Sequence, residues 1–178
     1  MGAVTAGVRL TFYLPPVKGV RAGPIAAYRP GGGGGVSFTL REHTADVAIE
    51  VEGATPGDVF AAVADGLAAA QCDSIPETGD RFEIEERAGG LEALLFDLLD
   101  RLIYERDVRS VLPADHEASV ERESDGVPDG GTEWVARASA RGVPLAGVAA
   151  REVKAVTYSE MNIEETGDGW RAYVVLDV

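Results

Sequence analysis

Hydrophobic and polar positions follow no packing period over the first 35 residues and become regular from Val36 onward. Val47, Ile49 and Val51 alternate with Ala48, Glu50 and Glu52, the two-residue period of a half-buried strand that ends near Gly53. Thr55 then stands as a helix N-cap, with Pro56 at the first helical position and Asp58 in the first turn. Val59, Phe60, Val63 and Leu67 follow, which predicts a helix to about Gln71. Phe82 and Ile84 alternate with Arg81, Glu83 and Glu85 in a second strand, stopped by Gly89-Gly90. The clearest element comes next: Leu91, Leu94, Leu95, Leu98, Leu99, Leu102 and Ile103 form one helical stripe, with Glu92, Asp100, Arg101 and Glu105 mostly off it. Strands are expected at about 109–122, 133–142, 152–165 and 170–178, with a polar loop over 124–131 and a hairpin turn at Gly167-Asp168-Gly169. Residues 144–151 read equally as a loop or a short helical turn. Two helices and about six strands, in the order β, α, β, α and then consecutive strands, predict an α+β two-layer sandwich with one largely antiparallel sheet.

Composition divides the chain in two. Residues 1–35 carry Arg9, Lys18, Arg21 and Arg29 and no acid, with Pro15-Pro16, Pro24, Pro30 and the run Gly31 to Gly35. Such a segment is expected to be a flexible leader outside the functional protein, with initiation at Val36 as one route to its removal. A basic docking tail is the alternative. The single domain is expected over 36–178, where 12 basic residues face 30 acidic ones for a net charge of −18. That charge repels phosphate backbones, so tight direct binding to nucleic acid is not expected, and a basic protein partner is. Solvated carboxylates with little lysine also fit a cytoplasm of high salt. Cys72 is the single cysteine, which excludes an internal disulfide and a cysteine-based zinc cluster. No apolar run reaches the length of a membrane span and no secretory signal is legible, so the expected location is cytoplasmic. Phosphate-loop, nucleophile-elbow and zinc-protease motifs are absent from the sequence.

Three places could carry chemistry. His43 and Asp46 lie just before the first clear strand, where an entry loop puts them at a sheet end, although both are also ordinary turn residues. Asp177 is the penultimate residue of a strand running Tyr173 to Val178, so its carboxylate neighbours the Val178 α-carboxylate. Two hard anions at one point call for a cation or water. If the first strand ends beside them, Asp46 adds a third. An all-oxygen set suits Ca²⁺, Mg²⁺ or Mn²⁺ and not zinc, while a solvated, frayed end is the plain alternative. Lys154 is the one lysine after residue 35, in a domain that otherwise uses arginine. Its compact ammonium could reach a phosphate or a carboxylate cluster, or simply lie on the surface.

Read together, Glu42-His43-Thr44-Ala45-Asp46-Val47, the stretch Glu152-Val153-Lys154-Ala155-Val156-Thr157-Tyr158 and the ending from Gly169 to Val178 resemble the archease family. The leucine-rich helix from Leu91 is similar to that family's second helix, and the likeness runs in order through 36–178 without including the leader. The resemblance implies a non-catalytic activator of the tRNA-splicing RNA ligase, promoting the ligase's guanylylation and turnover in exon ligation. It implies a divalent metal site, calcium first, on Asp46, Asp177 and Val178, with His43 and Lys154 facing the partner. Ser159 stands where a histidine is common in the family, which removes that histidine from the expected set. Two other readings of the same residues are a metal-dependent hydrolase or phosphotransfer enzyme acting on a small substrate, and a chaperone-like modulator of RNA-modifying enzymes.

Overall fold

The computed structural model describes residues 9–13, 46–124 and 132–178. Its elements run β1 (Arg9–Tyr13), β2 (Asp46–Gly53), α1 (Pro56–Gln71), β3 (Arg81–Ala88), α2 (Leu91–Arg109), β4 (Val111–Glu123), β5 (Glu133–Pro144), β6 (Ala155–Thr166) and β7 (Gly169–Asp177). The class is α+β as the pattern predicts, but the strands divide into two antiparallel sheets instead of one, β1-β2-β7-β6 and β3-β5-β4. Residues 145–147 form a short 3₁₀ turn, which settles the undecided segment.

Within the leader, Arg9–Tyr13 pairs with β2, with Leu10 opposite Val51 and Phe12 opposite Ile49. Leu10 and Phe12 alternate with Arg9, Thr11 and Tyr13 over only five residues, too short a stretch to stand out among the surrounding Gly and Pro.

The expected start of α1 is present in full. The Thr55 hydroxyl accepts from the Asp58 amide at 3.1 Å and the Asp58 carboxylate accepts from the Thr55 amide at 3.0 Å, a reciprocal capping box behind Pro56. Nearly every side of α1 is buried, because it contacts β4 of the three-stranded sheet and β2 and β7 of the other. Two glycines make room on opposite sides. A Cβ at Gly57 would lie 2.5 Å from the Ala118 carbonyl oxygen of β4, and one at Gly66 would lie 3.0 Å from Ile49 Cδ1 of β2. Nine residues separate them, which at about 100° per residue turns one to the far side of the helix from the other.

The α2 stripe behaves as read: Leu94, Leu95, Leu98, Leu99 and Leu102 are buried against β6 and the three-stranded sheet. Glu105 departs from expectation, since it too is buried. It follows Leu102 by three residues and so continues the stripe. Arg101 pairs with it at 2.7 Å and Arg109 pairs with it from the next turn. The Arg109 hydrogen bond, more than any other neighbour, holds the Glu105 carboxyl below the usual carboxylate range against the cost of burial.

Candidate functional site

The site grows out of the pairing between β2 and β7, the two central strands of their sheet. Val47, Ile49 and Val51 face Leu176, Val174 and Ala172, and all six are in the core. Because strand residues alternate between faces, this apolar ladder fixes which residues head the other face. There the opposed pairs are Asp46 with Asp177, Ala48 with Val175, Glu50 with Tyr173 and Glu52 with Arg171. The aspartate pair stands at the end of the ladder, and like charges at directly opposed positions destabilise a sheet unless something compensates them.

A cation is already close by. Lys154 Nζ donates to the main-chain oxygen of Val178 at 3.2 Å and lies 3.8 Å from Asp177 Oδ1. Its own amide donates to the Asp177 carbonyl at 2.8 Å, so the backbone at 154 is tied to the end of β7. Val153 and Val156 are buried on either side, the Arg151 amide donates to the Gln71 carbonyl at 2.7 Å, and Tyr158 meets the edge of Phe96 on α2. These anchors hold the chain while the Lys154 and Asp177 side chains stay in water, at 64% and 54% exposure. An exposed ion pair of this kind adds little to stability.

The structure therefore brings together Lys154, Asp177, Val178 and the backbone position of Asp46. His43 lies outside the described residues. Among those described, no group of three or more His, Cys, Asp or Glu side chains stands ready to hold a metal. The donors at the sheet end are instead a carboxylate and main-chain oxygen, with an ammonium against both. Hard oxygen donors that already attract a cation have the right chemistry for Ca²⁺, Mg²⁺ or Mn²⁺ and the wrong chemistry for zinc.

A second polar constellation escaped the sequence reading. Asp115, in left-handed conformation at φ 55°, opens a bulge in β4 between Ala114 and Glu117 and turns His116 inward. The His116 amide and ring Nδ1 both meet Asp65 Oδ1 of α1, at 3.0 and 2.7 Å. The pair fastens β4 to α1, and no local pattern in the sequence marks a partner 51 residues away. On the outer side of the three-stranded sheet, Arg87 and Arg137 interleave with Glu85 and Glu123 at 2.7–3.2 Å. Hydrogen bonds, from Arg87 foremost at Glu85 and from Arg137 foremost at Glu123, hold both carboxyls below their ordinary range. This is a self-neutralised surface, unlike the sheet end. No helix among the described residues is long and apolar enough to cross a membrane.

Comparison with known proteins gives one consistent result. Residues 38–178 match the model of the Archease protein family. The protein archease of Methanosarcina barkeri is 32% identical over 152 residues, covering 81% of this chain and 97% of that protein. The protein archease of Pyrococcus furiosus is 34% identical over 146 residues, covering 77% and 95%. The solution structure of Methanobacterium thermoautotrophicum protein 1598 aligns with a TM-score of 0.58 at 24% identity, over 78% of this chain and 96% of that one. A crystal structure from Thermotoga maritima, described as an archease and possible chaperone, aligns at 0.53 with 22% identity, over 79% and 96%.

Proposed function

The chain belongs to the archease family, and from that premise we propose that it is a protein activator of a tRNA-splicing RNA ligase, working through the sheet end that carries Asp46, Lys154, Asp177 and Val178. The observation that carries this reading is the β2–β7 register, which sets Asp46 opposite Asp177 while Lys154 reaches Asp177 and Val178 from a third segment. Residues more than a hundred positions apart converge on one sheet end, fixed from behind by core pairs. This is how a rigid scaffold presents a small reactive patch.

In this proposal Asp46, Asp177 and the Val178 main-chain oxygens hold one hard divalent cation, which when bound supplies a positive centre able to engage phosphate oxygens. The chain's own residues do the rest. The strongly acidic domain is steered toward a basic cleft on the ligase. Lys154 gives the tip a point charge that can meet a nucleotide phosphate. His43 lies three positions upstream of Asp46 in the sequence.

A chaperone-like modulator of RNA-modifying enzymes is the second reading, and the Thermotoga maritima archease, described as a possible chaperone, favours its chaperone part. Both readings place the turnover in the partner. The test is to incubate the ligase with labelled GTP and metal, with and without this chain, and to follow the covalent ligase–guanylate adduct. Faster adduct formation in its presence is expected, with no change in RNA or nucleotide when the chain is present alone. If the purified chain with metal consumed a phosphate ester unaided, the reading would give way to a metal-dependent hydrolase. If the ligase gained only resistance to aggregation and no guanylylation rate, the chaperone reading would stand instead.

A further inference from the structure

We propose that the Lys154 ammonium is a resident counter-ion of the sheet end and that a divalent cation must displace it to bind. The inference rests on the metal site proposed above and goes beyond it. The ammonium donates to the Val178 main-chain oxygen at 3.2 Å and stands 3.8 Å from Asp177 Oδ1, so it already uses the two described oxygens that the cation would take. A dication bonded to those oxygens at about 2.3–2.6 Å would lie within a few ångströms of a second positive charge. At that range the repulsion is substantial even at the edge of solvent.

Lys154 can leave without cost to the fold. Its side chain is 64% exposed, and the contact that anchors residue 154 is its main-chain amide on the Asp177 carbonyl, which displacement of the ammonium leaves in place. Val153 and Val156 keep their places in the core. The four-carbon stem swings the ammonium between the carboxylate end and solvent as an arginine fork would not. The consequence is a change of counter-ion at the tip. Without the cation, Lys154 offsets part of the negative charge at the sheet end. With it, the dication would take over that role and the released ammonium would be free to meet a phosphate-bearing partner. Loading with metal and exposing Lys154 thus become one event.

The test is calorimetric titration of the full chain with Ca²⁺, comparing wild type, Lys154→Met and Asp177→Ala. Lys154→Met keeps the length of the side chain and removes the competing charge, and it is expected to bind Ca²⁺ roughly three- to tenfold more tightly. Unchanged or weaker binding by Lys154→Met, with Asp177→Ala still losing affinity, would overturn the displacement while leaving the metal site standing. Equal binding by wild type and Asp177→Ala would overturn the metal site and the displacement together. Far-ultraviolet circular dichroism of each variant gives a second readout, and wild-type spectra are expected throughout because both side chains are exposed.

Discussion

Replacing Asp177 with alanine is expected to weaken divalent-cation binding roughly 100-fold, because the number of charged oxygen ligands moves the affinity of such sites over several decades. The fold should not notice. Asp177 is 54% exposed and its described ion pair is the 3.8 Å contact with Lys154, the kind of surface pair worth ~1 kcal/mol or less. Removing one of two opposed aspartates also relieves the repulsion between positions 46 and 177. Thermal unfolding should therefore stay within about 3 °C of wild type. The measurement is a pair of experiments on one preparation, a cation titration and a melt. A titration like that of wild type would remove Asp177 from the site. A large fall in melting temperature would show it to be structural instead.

Leu98→Ala is expected to do the reverse. Leu98 is 1% exposed at the middle of the α2 stripe, with Leu94, Leu95, Leu99 and Leu102 buried around it. Truncating a leucine in such a place removes its transfer energy and leaves a cavity, at a cost of about 3–4 kcal/mol. That is a large share of the stability of an ordinary domain. Urea unfolding should show the midpoint falling with an unchanged slope, while the fraction still folded binds the cation as wild type does. A loss under ~1 kcal/mol would mean that α2 is less tightly packed between the sheets than its burial indicates. The two substitutions together separate the tip from the core, each changing what the other spares.

The parts of the fold legible in the sequence were those with local causes. Thr55, Pro56 and Asp58 announce α1 because a capping box spans only four residues. The leucines of α2 announce a helix because their spacing repeats over about three turns. Burial of Glu105 was not legible, since a charge normally marks the solvent face and only Arg101 and Arg109, one turn away on either side, permit it to be inside. His116 was missed for a related reason. The bulge at Asp115 breaks the alternation on which burial is read from a strand.

Division into two sheets follows from long-range pairing that no local window contains. The same holds for the candidate site. The residue types at 46, 154, 177 and 178 could be picked out individually, and the family likeness joined them. The physical link between Asp46 and Asp177 is the β2–β7 register, and that register is enforced by Val47, Ile49 and Val51 meeting Leu176, Val174 and Ala172. A slip of one residue would turn that whole apolar set away from the core, so the aspartates are held opposite each other by side chains that take no part in the chemistry.

Multiple-turnover ligation of tRNA exon halves is the measurement that bears most directly on activation through this sheet end. It should be run in high salt, where the acidic domain is least subject to self-repulsion. With the ligase in excess over the added chain, wild type is expected to carry the ligase through repeated turnovers, and Asp177→Ala, equally folded, is expected to leave it near its unassisted rate. Stimulation by Asp177→Ala equal to that by wild type would contradict activation through the sheet end.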